Sequence, residues 1–308
     1  MKHKQITISC PDCGCVVNAI GPIASTNVFA GQKLKRSLDG GWLYQCKQCH
    51  LGFRWPRLAK SELDVLYQNG ADETWTSTDQ SRQDWLIGRK RVCQLIEPKG
   101  TVLDIGCFDG GFLEGLTGLY ACSGIEIHPQ ARRRAADKGI SIIGANFSEV
   151  NGQFDCATSF DVVEHVEYPA IFLAQCLGAV RKGGYLVISS GNMNYITFRF
   201  SGSGYRYCTI SEHISFISPA WLLGQQAAAG FEIKEIITFS HSSSRFLLSV
   251  RFKELVANVL YRIHPSLLCA LRKIGFGSRE LAKSPISTNH PPCWGTARDH
   301  FVAVIQKQ

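Results

Sequence analysis

The chain has 308 residues, enough for one large domain with an appendage or for two domains. Hydrophobic residues make up 45%, charged residues 19% and aromatic residues 10%, which excludes collagen-like, coiled-coil and disordered proteins. No uninterrupted apolar run approaches the roughly 18 residues of a membrane span, and the first residues form no apolar signal core. We therefore expect a soluble, cytoplasmic protein.

The net charge of +8 is unevenly distributed. Residues 1–60 carry 9 Lys/Arg against 2 Asp/Glu, residues 61–240 carry 14 against 20, and residues 241–308 carry 10 against 3. Basic ends around an acidic middle favour a phosphate-rich or anionic partner only weakly, because an ordinary solvated surface explains them equally well.

The N-terminal region contains two C-x-x-C pairs, separated by about thirty residues, which is zinc-ribbon spacing. Two such turns can complete a closed tetrahedral shell, an arrangement typical of structural zinc. The other cysteines mostly sit singly in apolar segments, which argues against a disulfide framework. The pattern predicts a zinc-ribbon-like domain over residues 1–58. Its predicted ligands are Cys10, Cys13, Cys46 and Cys49, with Cys15 and His50 as substitutes.

Residues 59–98 are predicted to form a helical connector, with the clearest helix over 79–97. From residue 99 to 308, strands and helices alternate. Strands are predicted over 101–105, 123–127, 140–143, 154–160, 185–190 and 231–240. This alternation predicts an α/β fold, a Rossmann-like, doubly wound and mostly parallel sheet with helices on both faces. Ligands of such sheets bind at the carboxyl ends of the strands.

A glycine-rich turn, Asp104-Ile-Gly-Cys-Phe-Asp-Gly110, follows the first of these strands. Its backbone amides and the next helix can approach a ligand closely. Glu126 ends the following strand, where a carboxylate can accept hydrogen bonds from ribose hydroxyls. A nicotinamide cofactor would also suit Glu126, but Asp104 favours a cationic ligand and would repel a pyrophosphate.

The segments 102–112, 124–129, 154–166 and 181–188 together resemble class I S-adenosylmethionine-dependent methyltransferases. The resemblance covers residues 100–240, and 300–305 resembles the final antiparallel strand of that family. It implies S-adenosylmethionine as cofactor. The cofactor-binding residues that it implies are Asp104, Gly106, Cys107, Gly110, Glu126, Ile127, Asn146 and Phe160. Phe108 stands where the family usually has glycine, which reshapes the pocket and leaves open whether cofactor binding is impaired.

Two histidines are candidate catalytic bases because histidine titrates near neutral pH. His165 follows the fourth strand, and His213 precedes a helix expected near Pro219. The alternative for both is a structural hydrogen bond between loop and sheet. The set Asp161, Glu164 and His165 also resembles the region assigned to metal in quinone O-methyltransferases, which makes a divalent ion an alternative.

A helical insert is expected at about 245–296, where the family would turn directly into its last strand. Its apolar stripe consists of Leu248, Phe252, Leu255, Val256, Val259 and Leu260. Basic residues are interleaved with it: Arg251, Lys253, Arg262, Arg272 and Lys273. Packing of this stripe onto the domain is the favoured interpretation. The alternatives are peripheral contact with an anionic membrane surface and coverage of a lipid-linked or sugar-phosphate substrate.

The N-terminal cysteine pairs loosely resemble those of sugar and natural-product methyltransferases. We therefore expect methylation of a small-molecule or glycan-type acceptor, foremost O-methylation of a sugar, nucleotide-sugar or lipid-linked saccharide. One alternative is an RNA-directed methyltransferase, although nucleic acid is disfavoured because no basic and aromatic platform is present. The other is a non-catalytic zinc-ribbon interaction protein with a degenerate cofactor pocket.

Overall fold

The computed structural model describes residues 8–68, 80–240, 248–273 and 290–308. Parts of the expected connector and insert therefore lie outside the described residues. The elements are, in chain order, β1 (Val17–Pro22), β2 (Thr26–Phe29), β3 (Gln32–Leu38), β4 (Trp42–Cys46), β5 (Gly52–Trp55), α1 (Lys60–Gln68), α2 (Gln83–Leu95), β6 (Thr101–Ile105), α3 (Gly111–Glu114), β7 (Ala121–Ile125), α4 (Pro129–Asp137), β8 (Ser141–Gly144), β9 (Phe154–Phe160), α5 (Pro169–Gly178), β10 (Val180–Gly191), α6 (Ile196–Ser201), α7 (Arg206–Thr209), β11 (Ser215–Phe216), α8 (Pro219–Ala229), β12 (Phe231–Phe239), α9 (Leu248–Ile263), α10 (Pro265–Lys273) and β13 (His300–Lys307).

The central sheet has seven strands in the order β12-β13-β10-β9-β6-β7-β8. The strands from β10 to β8 are parallel to one another, and β13 is antiparallel to both β10 and β12. After β8 the chain returns to the other side of β6, so the strand order reverses between β6 and β9. Such a reversal leaves a crevice at the carboxyl ends of the strands. The predicted Rossmann-like architecture is confirmed.

Both faces of this sheet are buried, which explains the nearly continuous apolar runs in its central strands. Successive side chains point to opposite faces. Leu103 and Leu186 lie in one core cluster with Trp221, whereas Val102 and Val187 lie in the other, which α2 and α3 cover.

The N-terminal region forms a smaller sheet whose strand order is β1-β4-β5-β11. Its edge strand β11 comes from the second half of the chain and pairs antiparallel with β5, with Ser215 opposite Phe53. The strands β2 and β3 form a separate hairpin. The pairing of β11 with β5 crosses the domain boundary predicted at residue 58. The division of the chain into domains stays a prediction.

The described part of the insert consists of α9 and α10. Leu248 is 86% exposed, Phe252 66% and Leu255 44%, so the expectation that the stripe packs onto the domain is wrong for these residues. The other three stripe residues are half-buried. Among the residues that the structure describes, no helix combines the length and apolar character needed to cross a bilayer.

Candidate active site

A cavity of about 1720 Å³ lies at the carboxyl ends of β6, β7 and β9. Its wall also includes residues from the β2–β3 hairpin, from the segment 205–213, which contains α7, and from the segment before β13. The predicted site residues that line it are Asp104, Gly106, Cys107, Glu126, Ile127, Asn146, Phe160, His165 and His213. The structure thus brings both candidate bases and all the predicted cofactor residues except Gly110 into one cavity.

The turn between β6 and α3 depends on two glycines with left-handed backbone conformation. Gly106 has φ 75° and lines the cavity. Gly110 has φ 76° and caps α3, but it lies behind the turn, where an added Cβ would be 2.1 Å from Cδ1 of Ile140. Gly110 is absent from the described cavity wall, so its part in the site is to shape the turn.

Phe108 keeps the backbone conformation that glycine would adopt, with φ 46°. Its ring centroid lies 5.4 Å from Cζ of Arg134 and 6.4 Å from the ring of His128, both associated with α4. Phe108 is part of the cavity wall.

Asp104 is buried at the end of β6 and accepts a hydrogen bond from Oγ1 of Thr158 at 2.6 Å. Burial raises the pKa of its carboxyl group to about 7. A carboxyl group that ionises near neutral pH is stabilised as a carboxylate when a cation arrives beside it.

Glu126 follows β7 and is also buried. Its two carboxylate oxygens accept hydrogen bonds from the backbone N–H groups of Phe108, at 2.9 Å, and His128, at 2.7 Å. Burial raises the pKa of this carboxyl group. Each oxygen keeps a lone pair for a further hydrogen bond, so the side chain can still accept hydrogen bonds from the hydroxyl groups of a ligand.

Opposite this region, the cavity wall contains the 3₁₀ helix Val163–His165. Glu164 accepts hydrogen bonds from the Tyr207 hydroxyl at 2.6 Å and from Oγ of Ser190 at 3.2 Å. Burial, followed by the charge of Asp161, raises the pKa of Glu164 to about 8. Nothing in the sequence pattern points to Tyr207, whose contact with Glu164 depends on the fold.

The two candidate bases are in contact, with ring centroids 5.0 Å apart. Nδ1 of His213 lies 3.0 Å from the carbonyl oxygen of Tyr207, to which it donates, and Nδ1 of His165 lies 3.1 Å from the hydroxyl of Tyr67. Burial lowers the pKa of both histidines, so both are neutral at neutral pH. Nδ1 of each ring therefore has a structural hydrogen bond, and His165 forms a further one with the backbone of Glu212.

The donor atoms of Glu164, His165 and His213 all lie within 4.8 Å of one another, a set that fits a divalent ion. Asp161 does not belong to this group, because its carboxylate forms an ion pair with Arg82 at 2.6 Å. The predicted set of Asp161, Glu164 and His165 is corrected accordingly, with His213 in place of Asp161.

A second polar cluster lies on the other side of Tyr207. Nδ1 of His300 is 2.9 Å from a carboxylate oxygen of Asp299, which also accepts a hydrogen bond from the Tyr205 hydroxyl. The rings of Tyr207 and His300 are 5.3 Å apart. In the sequence, His300 marks only the start of the last strand, so this cluster is visible only in the fold.

The N-terminal hairpin docks onto the loop that carries His213. Oγ of Ser211 donates to the carbonyl of Val28 at 2.7 Å, and the N–H of Ala30 donates to Glu212 at 2.5 Å. These contacts place part of the hairpin in the cavity wall.

Arg54 on β5 also binds the segment that carries His213. Its guanidinium donates to the carbonyl oxygens of Cys208, Ile210 and Ser211, at 2.7, 2.9 and 3.2 Å. Burial lowers its pKa to about 10, so it remains a cation at neutral pH. The N-terminal region therefore positions one wall of the cavity.

The four predicted zinc ligands converge. The Sγ atoms are 3.5 Å apart in Cys10–Cys49, 3.5 Å in Cys13–Cys46 and 3.7 Å in Cys13–Cys49. A tetrahedral site with Zn–S bonds of about 2.3 Å requires sulfur–sulfur distances of about 3.8 Å. The geometry and the all-thiolate donor set fit structural zinc, and Cys15 lies outside the group.

The cysteine cluster is tied to the central domain through Asp12, which lies between two of the ligands. Its carboxylate accepts hydrogen bonds from Nε1 of Trp221 on α8, at 3.0 Å, and from the N–H of Ala170 on α5, at 3.3 Å.

Comparison with known proteins agrees with this geometry. The family model of the methyltransferase domain matches residues 79–236. The ubiquinone biosynthesis O-methyltransferase of Burkholderia cenocepacia is 31% identical over 166 residues, covering 48% of this chain and 72% of that protein. The enzyme of the same name from Burkholderia multivorans is 30% identical over the same length and coverage.

The fold is also found in a solved structure. It is a chain from the complex between the Haloferax volcanii Trm112 methyltransferase activator and a methyltransferase, with a TM-score of 0.52 and 14% identity. The match covers 81% of this chain and 99% of that chain. By family model and relatives, this chain belongs to the methyltransferase-domain family and is an S-adenosylmethionine-dependent methyltransferase.

Proposed function

We propose that the enzyme methylates a hydroxyl oxygen of a polyhydroxylated small molecule, namely a sugar, a nucleotide-sugar or a lipid-linked saccharide. The observation that carries this proposal is the polar wall of the cavity, where Glu164, His213 and His300 lie around Tyr207. Several hydrogen-bonding groups within one wall suit an acceptor with several hydroxyls. The names of the relatives support oxygen as the methylated atom.

The residues at the other side of the cavity fit S-adenosylmethionine, which supplies an electrophilic methyl group when bound. Asp104 would face its cationic part, and Glu126 would accept the ribose hydroxyls. Asn146 and Phe160 would contact the adenine, and the positive φ of Gly106 brings the backbone close to the ligand.

In the proposed reaction, the acceptor oxygen bonds to the methyl carbon as the carbon–sulfur bond breaks. The hydroxyl proton passes to Nε2 of His213, whose other nitrogen is held by the Tyr207 carbonyl. Much of the rate enhancement in such a displacement comes from holding the acceptor in line with the methyl group. A divalent ion held by Glu164, His165 and His213 would instead polarise the hydroxyl.

The test is a methyl-transfer screen of zinc-replete protein with nucleotide-sugars, dihydroxyphenols and RNA. We expect transfer to a sugar hydroxyl.

His213→Gln should lower kcat about a hundredfold with unchanged affinity for S-adenosylhomocysteine. The control is His264→Gln, which changes an exposed histidine on the insert and should have no effect. Loss of activity on chelation with the ribbon zinc retained would favour the divalent ion. Transfer only to a phenol or to RNA would contradict the sugar acceptor.

We also infer peripheral contact of α9 with an anionic lipid surface. Its exposed apolar residues Leu248 and Phe252 alternate with exposed Arg251 and Lys253, a charge pattern complementary to acidic lipids. Phe252→Glu should abolish flotation with phosphatidylserine vesicles. The matched control is Ile171→Glu, a 57% exposed position on α5. Equal flotation of both variants would contradict the inference.

A further inference from the structure

Part of the cavity wall comes from α7 and from the segment that precedes β13, and it includes Arg206, His290 and Cys293. Nη1 of Arg206 is buried there without a hydrogen-bond partner among the described residues. Buried charged groups in proteins are nearly always paired, because an unpaired one loses its hydration without compensation. Arg206 as a whole is half-buried and lines the cavity, so its side chain can meet an anionic ligand there.

A second positive charge, that of Arg272, acts on His290 together with Arg206. Nη1 of Arg272, on α10, donates to the backbone carbonyl of His290. The pKa of His290 is lowered to about 4, first by burial and then by the charges of Arg206 and Arg272. His290 is therefore neutral at neutral pH and does not add a third positive charge.

Two carboxylates that act on Cys293 in the same wall, those of Glu254 and Asp299, accept hydrogen bonds from other groups. Glu254 on α9 accepts hydrogen bonds from the N–H of Thr296 at 3.1 Å and from its hydroxyl. Asp299 accepts from Tyr205 and His300. Within the described ranges, Arg206 takes part in no ion pair.

We propose that Arg206, supported by the positive charge of Arg272, forms a subsite for an anionic group of the acceptor, a phosphate or a carboxylate. This inference rests on the proposed function, since it names the class of acceptor that the same cavity takes. A guanidinium binds both groups through two parallel N–H donors, which also fixes the orientation of the ligand. The insert gains a role, because α10 supplies Arg272 and α9 anchors the segment before β13.

The experiment is calorimetric titration of the full chain with inorganic pyrophosphate and with malonate, with and without saturating S-adenosylhomocysteine. Wild-type protein should bind at least one of the two anions saturably. Arg206→Gln should weaken that binding by about tenfold or more, and Arg206→Lys should retain part of it. The matched control is Arg199→Gln, which removes an exposed positive charge on α6 outside the cavity wall.

Preference for pyrophosphate would assign a phosphate-bearing acceptor, and preference for malonate a carboxylate-bearing one. The subsite is overturned if wild-type protein binds neither anion, or if Arg206→Gln and Arg199→Gln lose affinity equally. Loss of S-adenosylhomocysteine binding would count against the proposed function alone, because the anion titration is also run without it.

Discussion

The two halves of the cavity are built differently. The half proposed to bind the cofactor, the cofactor half, is formed by strand ends of the central sheet and by one backbone turn, with Asp104 and Glu126 buried against it. The half proposed to bind the acceptor, the acceptor half, is formed by side chains from the residues 26–31, 205–213 and 290–300, joined mostly by side-chain hydrogen bonds. The first half depends on the sheet and the second on the N-terminal region and the insert, so substitutions should affect them separately.

The sharpest test of this separation is Cys46→Ser. If the four cysteines hold zinc as proposed, loss of one thiolate should release the metal, whose binding contributes on the order of 10 kcal/mol to such small sites. The loop held by Arg54 should then shift, and kcat should fall by about a hundredfold, because small misplacements cost that much. Binding of S-adenosylhomocysteine should be nearly unchanged. Metal analysis, kinetics and calorimetry measure the three quantities. Cys15→Ser, outside the cluster, is the control, and equal loss of zinc and cofactor binding would refute the separation.

The reverse case is Glu126→Ala in the cofactor half. We expect the affinity for S-adenosylhomocysteine to fall by about 1 to 3 kcal/mol, because the proposed ribose hydrogen bonds and the support of the turn are both lost. Zinc content should not change. Glu126→Gln, which keeps one acceptor oxygen, should show a smaller loss. An unchanged affinity in Glu126→Ala would contradict the ribose assignment.

The pH dependence of cofactor binding tests Asp104. Its pKa, raised by burial from 3.8 to about 7, means that the free enzyme binds a proton there which a cationic ligand displaces. Affinity should therefore rise between pH 6 and 8, by at most about tenfold per pH unit. The same shift lowers the stability of the free protein as the pH rises from 3.8 to about 7, since the unfolded chain releases the proton first.

Titrations in buffers of different ionisation enthalpy count the proton released on binding. Asp104→Asn should remove both the proton release and the pH dependence. Asp109→Asn, in the same turn, should leave them in place. A pH-independent affinity in the wild-type enzyme would contradict the ionisation of Asp104 on binding.

The smallest effect is expected at Phe108. Phe108→Gly relieves about 1 kcal/mol of left-handed backbone strain but loses the ring contacts with Arg134 and His128 and adds flexibility to the unfolded chain. The free energy of unfolding should change by less than about 1 kcal/mol, and cofactor affinity by less than about threefold. Phe108→Ala keeps the strain and removes the ring. A gain of affinity in both variants would show that the ring obstructs the pocket.

The cofactor half was accessible from the sequence because its elements are local. The strands β6 and β9 begin and end where the apolar runs predict, since they are buried on both faces. β7 ends at Ile125, two residues before the predicted end, because pairing with β6 stops there and Ile127 is 63% exposed. Glu126 consequently follows the strand and can turn back to the Phe108 amide.

Of the acceptor half, the sequence predicted only His213, because the other contacts join residues that are distant in sequence. Nε1 of Trp294 donates to Oγ of Ser201, and its ring packs edge-on against Phe200. Arg54 in the sequence is one basic residue among many. Only the fold brings its guanidinium to the carbonyl oxygens of Cys208, Ile210 and Ser211, since no local sequence pattern encodes that contact.

The pairing of β11 with β5 has a consequence for how the chain acquires its structure during synthesis. The cysteine-containing sheet presents an unpaired strand edge until Ser215 and Phe216 leave the ribosome, and an open edge is a template for misassociation. Early zinc capture would hold this sheet in register while the rest of the chain is made. Transplanting residues 1–58 onto another protein would leave that edge open permanently.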